Sequence, residues 1–175
     1  MTDISKKIAQ WMIWTGWLIF LALLTLFFNE EIKNIQNPNQ DATNSALPGD
    51  NAVTLKRNRN GHYVAGGLIN GDEVVFIIDT GASDVSIPVS VAKKLNLQQG
   101  VPVRYHTANG SVMGYRTMLN KVQLGNIELH NIRGGINPGM TGNNILLGMT
   151  FLKQLEFTQR GNELILKKYN QGASD

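Results

Sequence analysis

From Ile8 to Phe28 the chain reads IAQWMIWTGWLIFLALLTLFF, without one charged side chain. A segment of this kind has few folded fates. At about 1.5 Å of rise per residue its helix is about 30 Å long, the thickness of a bilayer's hydrocarbon core. Trp11, Trp14 and Trp17 crowd one end, as in an interfacial aromatic belt. A cleaved signal peptide would have an apolar region of about 7–15 residues and a small-x-small cleavage site. Here the run is longer, and Phe27-Phe28-Asn29-Glu30-Glu31 offers no such site. The expectation is an uncleaved transmembrane anchor. Lys6 and Lys7 precede it, Glu30 and Glu31 follow, and only Lys33 adds a positive charge nearby. The positive-inside rule then leaves the N-terminus in the cytoplasm and sends the rest across a cytoplasmic (inner) membrane. In a Gram-negative cell that side is the periplasm.

Beyond the anchor, composition narrows the chemistry. Lys and Arg number 16 against 13 Asp and Glu, a formal charge of +3. That is too mild, and too scattered, for a nucleic-acid surface. Lys93-Lys94 and Lys167-Lys168 read as solvated faces. With no cysteine in the chain, disulfides, thiolate catalysis and cysteine-bound zinc are excluded. His62, His106 and His130 lack ligand spacing, so neither a metal nor another cofactor is expected.

The character of the text changes twice more. Residues 29–51, rich in Asn, Gln, Asp, Pro, Ser and Gly, have no helical or alternating period and read as a flexible stalk. From residue 52 to about 170 the chain looks β-rich, leaving 171–175 as a tail. Val53 to Arg57 alternates, as does part of His62 to Ile69, and Glu73 to Ile78 (EVVFII) suits a strand buried on both faces. Asn60-Gly61, Asn70-Gly71, Asn109-Gly110 and Gly125-Asn126 mark turns. Short helices are predicted over Pro88–Leu95, with Pro at the first position, and over Met149–Leu155. Many short strands with regular turns predict an all-β domain, a small barrel or a sandwich.

The segment Val75-Phe76-Ile77-Ile78-Asp79-Thr80-Gly81-Ala82-Ser83 carries the chemistry. An apolar strand delivers a carboxylate, and the chain turns at once. A charge at the end of a buried strand is costly unless it is hydrogen-bonded or changes its proton affinity. Gly81 permits close backbone approach and Thr80 brings a hydroxyl that can fix the turn. The plain alternative is a strand-ending turn in which Asp79 caps local amides.

Asp79-Thr80-Gly81-Ala82 resembles the catalytic loop of the aspartic peptidases, and within them the retropepsin-like proteins. Two further segments fit in order and spacing. Tyr105 to Ser111, with Thr107, Ala108, Asn109 and Gly110 at its tip, falls where that family has a β-hairpin flap. Asn144-Ile145-Leu146-Leu147-Gly148-Met149 is similar to its second apolar-apolar-Gly segment, which crosses under the catalytic loop and leads into a short helix. Together with the anchor, the pattern looks like a group of bacterial membrane-bound retropepsin-like proteases. The resemblance implies a small closed barrel with one or two short helices and an endopeptidase acting on peptide or protein substrates. It implies a dyad of two carboxylates. Among Asp3, Asp41, Asp50, Asp72, Asp79, Asp84 and Asp175, only Asp79 precedes Thr-Gly, and the chain has no room for a second lobe. The second carboxylate is therefore expected from a C2 homodimer.

The other expectation is a catalytically silent peptide-binding or scaffold domain of the same fold. Cleavage of the stalk by a neighbouring copy is a further reading, motivated by its exposure. The sequence also departs from the family. Retroviral members carry an Arg soon after the second Gly motif, where Met149-Thr150-Phe151 stands here. Asp84 has no evident role, and Glu163 to Lys167 is a strand for either the dimer seam or the chain's own barrel. Ile77, Val85, Ile87, Ile145 and Leu147 suit apolar substrate pockets or core equally well.

Overall fold

The structure, a computed structural model, describes residues 2–42, 51–107 and 110–169. The chain divides into two compact units, one up to Ile35 and one from Gln36 onward. The first is the helix α1, Thr2–Gln36, long and apolar enough to cross a membrane. It runs past the apolar segment through Glu31, Ile32 and Lys33, into the stretch read as a stalk.

The second unit is all-β with two short helices. Its strands are β1 (Ala52–Lys56), β2 (Val64–Ile69), β3 (Asp72–Ile78), β4 (Val85–Pro88), β5 (Pro102–Thr107), β6 (Gly110–Leu124), β7 (Ile127–Asn137), β8 (Asn144–Leu147), β9 (Leu155–Arg160) and β10 (Glu163–Lys168). The helices are α2 (Val89–Lys94) and α3 (Met149–Leu152). Seven strands run in the order β2-β3-β8-β4-β7-β6-β5. Leu68 and Ile69 of β2 also pair with Gln123 and Val122 of β6, which closes the sheet into a barrel and leaves β5 outside the ring. A second sheet has the order β1-β10-β9.

Local chemistry explains the closures. The β2–β3 hairpin turns at Asn70-Gly71, with φ of 54° and 99°, the positive pair that a two-residue primed turn requires. Phe76, Val85, Ile87, Leu119, Val122, Leu124, Ile127, Ile132, Ile136, Ile145 and Leu147 fill the interior. Along β6 the buried positions change parity between Leu119 and Val122. Opposite that point Asn131 takes a φ of 53°. The long hairpin thus turns over at its middle, and its two halves bury opposite faces.

Part of the predicted stalk is ordered on the barrel. Asn39 is buried, and its carbonyl accepts the Gly66 amide at 2.9 Å. Its side-chain amide donates to the Lys56 carbonyl at 2.9 Å and the Val64 carbonyl at 2.7 Å, while its Oδ1 accepts from the Lys56 amide at 2.7 Å. One side chain thereby joins β1 to β2. A side chain at position 66 would strike the Gln40 carbonyl, so Gly66 admits the segment. Composition suggested a stalk because these polar residues satisfy backbone groups rather than fill a core. The remainder of that stretch, 43–50, and the tail lie outside the described residues.

Candidate active site

Asp79 stands at the end of β3, half-buried, between a strand of the core and an exposed turn. Its amide donates to the Leu147 carbonyl at 3.2 Å, and its own carbonyl accepts from Ala82 at 3.2 Å. Its Oδ1 accepts from the Gly81 amide at 2.9 Å, which closes the turn and orients the carboxylate. Thr80 and Gly81 are exposed, and Ala82 is half-buried. A side chain at position 81 would crowd the Asp79 carboxylate, since its Cβ would lie 3.2 Å from Oδ1.

The loop from Asp79 to Asp84 is held from below. β8 lies between β3, parallel to it, and β4, antiparallel to it. The loop that joins β3 to β4 therefore arches over the end of β8. Met149 donates to the Ala82 carbonyl at 2.8 Å and Thr150 to the Ser83 carbonyl at 3.2 Å. Gly148 makes this passage possible, because a Cβ there would collide with the carbonyls of Ala82 and Asp84.

An arginine from another strand holds the exit of the loop. Arg133 of β7 donates its Nε–H to Asp84 Oδ1 at 2.9 Å, with the Asp84 side chain 10% exposed and that of Arg133 47%. The Thr150 hydroxyl donates to the Arg133 carbonyl at 2.8 Å and accepts from the Val85 amide at 3.2 Å. Asp84, Arg133 and Thr150 thus tie the exit of the loop to β7 and α3. Sequence reasoning missed Arg133. The signal was a lone basic residue in Ile132-Arg133-Gly134-Gly135-Ile136, but its meaning depends on the parallel pairing of β4 with β7.

The expected flap positions have mixed fates. β5 and β6 form a hairpin from Pro102↔Tyr115 to Thr107↔Gly110, with His106 Nδ1 and Ser111 Oγ 2.9 Å apart. Ala108 and Asn109, at its tip, lie outside the described residues, as does the side chain of Thr107. Tyr105 lies against Gly114 and Gly135, where side chains would strike its ring or its hydroxyl. Its hydroxyl is buried and has no partner among the described residues. Burial first, and then the negative Asp84, push the phenol up from its ordinary value of 10.0. Tyr115, at the other end of this hairpin and paired with Pro102, is exposed.

Of the apolar residues that suited pockets or core, Val85, Ile87, Ile145 and Leu147 are core, and Ile77 is half-buried. A groove of about 730 Å³ runs beside Gln40, Gly66, Val75, Lys94 and Gln123 and shares no lining residue with the Asp79 loop. No cluster of His, Asp and Glu able to hold a metal occurs among the described residues.

Three comparisons bear on this arrangement. A family model described as gag-polyprotein putative aspartyl protease matches residues 65–154, the stretch from β2 to the turn between α3 and β9. The solved structure of a retropepsin-like aspartic protease from Rickettsia conorii superposes with a TM-score of 0.58 at 32% identity, covering 67% of this chain and 90% of that one. An uncharacterised protein from the cobV 5′ region of a Sinorhizobium species is 28% identical over 174 residues, covering 93% of this chain and 72% of its own length. An uncharacterised protein of Rickettsia prowazekii is 29% identical over 120 residues, covering 67% of this chain and 51% of its own.

Proposed function

Because the chain belongs to the family of gag-polyprotein putative aspartyl proteases and has a retropepsin-like fold, we propose that it is a membrane-anchored aspartic endopeptidase. Asp79 and Asp79 of a second copy form its catalytic pair. The observation that carries this reading is the single Asp-Thr-Gly loop, set at the end of β3 and bonded to β8 and α3, at an exposed surface. One protomer supplies one such carboxylate, so the pair requires a homodimer.

The mechanism follows from that pairing. Two carboxylates about 3 Å apart repel by about 5 kcal/mol at an effective dielectric of ~20. In this enzyme class such a pair shares one proton between its two carboxylates. The ionised member takes a proton from a water held between them, and the protonated member donates a hydrogen bond to the scissile carbonyl. Water adds to the carbonyl carbon to give a gem-diol, the amine accepts a proton, and the C–N bond breaks. Thr80, Gly81 and Ala82 hold the carboxylate in place, and the β5–β6 hairpin folds over the bound peptide to exclude water.

The length and apolar character of α1 support a membrane anchor, and the charges flanking it support a β-domain on the periplasmic or extracytoplasmic side. Two copies in one membrane plane meet at a raised effective concentration. The protease domain covers residues 52–170, with 37–42 packed onto it.

The test is cleavage of a fluorogenic peptide library by the full-length protein in detergent micelles. Activity inhibited by a pepstatin-type compound and abolished by Asp79→Asn is the expected result. A wild type that is dimeric by mass yet cuts nothing between about pH 4 and 7 overturns the proposal.

A further inference from the structure

A flexible stalk over residues 29–51 could reach about 75 Å when extended. The structure removes most of that reach. α1 continues to Gln36, and from there the chain is held on the barrel. Asn39 binds β1 and β2, as described above. Asn58 adds a second hold, its Nδ2 donating to the Gln36 carbonyl at 2.9 Å.

Asn58 also belongs to the catalytic end of the barrel. Its Oδ1 accepts from the amides of Asn60 at 3.0 Å and His62 at 2.9 Å. Its own amide donates to the His62 carbonyl at 2.8 Å, which closes residues 58–62 into a loop. Beyond that loop the chain runs antiparallel to β3. Val64 lies opposite Ile77, and the Tyr63 carbonyl accepts the Ile78 amide at 3.0 Å. The next position in this register sets His62 opposite Asp79. The residue that grips Gln36 therefore closes a loop whose far end lies beside the catalytic carboxylate.

These contacts set an upper bound on reach. The steps from Gln36 to Asn58, from Asn58 to His62 and from His62 to Asp79 each span about 5–8 Å between Cα atoms, together about 20 Å at most. Residues 29–36, helical at about 1.5 Å each, add about 12 Å. The backbone of Asp79 thus lies no farther than about 30 Å from Phe28, the last residue of the apolar segment, whatever angle α1 makes with the barrel.

Resting on the membrane-anchored peptidase reading above, we infer that the favoured substrates are other membrane-anchored proteins, cut in the extended segment that adjoins their own span on the same side. An extended chain rises about 3.3 Å per residue, so the bonds within reach lie about ten residues or fewer from the bilayer, or in flexible loops that return to it. Sharing one membrane raises the effective concentration of such a bond. A soluble peptide is still cut, without that advantage. A bond held upright on a rigid spacer of about twice the reach is beyond the tethered site.

The test places the full-length protein in liposomes with a single-span reporter that carries the peptide cut best in the library. In the near reporter that peptide directly follows the span. In the far reporter a helix of EAAAK repeats, continuous with the span and about 60 Å long, stands between them. The near reporter should be cut at least about tenfold faster. Inserting the same helix between Ile32 and Lys33 of the enzyme, ahead of the Gln36 and Asn39 contacts, should reverse the order and leave cleavage of the soluble peptide unchanged. Equal rates on the two reporters, with the soluble peptide cut, overturn this inference and leave the peptidase standing. A wild type that cuts neither reporter nor the soluble peptide removes the peptidase reading, and this inference with it.

Discussion

Thr150→Val is a near-isosteric change with a sharp consequence. The Thr150 side chain is buried, and its hydroxyl links the Arg133 carbonyl at 2.8 Å to the Val85 amide at 3.2 Å. Valine keeps the shape and removes both bonds, where water cannot easily replace them. Each orphaned backbone group costs about 1–3 kcal/mol, and together they cost ~2–4. The added methyl returns somewhat less than about 1 kcal/mol, so the net loss should be ~2–3. The assay is urea unfolding of a fragment beginning at Gln36, where the second compact unit begins. The midpoint should fall at unchanged slope, since no additional surface is exposed. Peptide cleavage should fall roughly tenfold, because the exit of the Asp79 loop loses its tie to β7. Thr150→Ser keeps both bonds and should lie within about 1 kcal/mol of the wild type. Equal stability for Thr150→Val, Thr150→Ser and the wild type would refute the bridging role.

Other changes test neighbouring features. Asn39→Ala leaves the Lys56 amide and the Lys56 and Val64 carbonyls without their partner and should cost about 3 kcal/mol in the same unfolding assay. Gly148→Ala forces a Cβ against the Ala82 and Asp84 carbonyls, and should lower the unfolding midpoint and abolish cleavage, because the displaced groups belong to the loop itself. Tyr105→Phe removes a buried hydroxyl that has no partner among the described residues, so stability at neutral pH should stay within about 1 kcal/mol of the wild type or rise. The Tyr105 phenol is raised in the folded chain, so its contribution is present below the ordinary value of 10.0 and is lost as pH climbs through the folded value. The wild type should therefore destabilise more steeply than Tyr105→Phe in alkaline unfolding scans.

The parts that were legible from sequence share a physical cause, which is locality. The EVVFII strand, the Asn70-Gly71 turn and the two short helices are set by neighbours in the chain and appear near where their residues predict, but the second helix ends at Leu152, with the predicted Leu155 opening β9, and of the run expected to be buried on both faces only Phe76 is fully buried. The Asp79 loop was visible for the same reason, being one strand end followed by one turn. The support of that loop was not. Asp84 and Arg133 are brought together by parallel pairing of β4 and β7, which no local pattern announces. Asn39 failed in the same way: an asparagine in a polar stretch looks like linker until three backbone partners from β1 and β2 surround it.

Proteolysis between Ala42 and Asn51, by a neighbouring copy or by any other enzyme, would break the covalent tether without detaching what it tethers. The severed stub would keep its place in the sheet through the Asn39 carbonyl and side chain, as a non-covalent fragment complex. With α1 anchored as proposed, the barrel would then stay in the membrane fraction after the cut and wash free only under denaturing conditions or in an Asn39→Ala background.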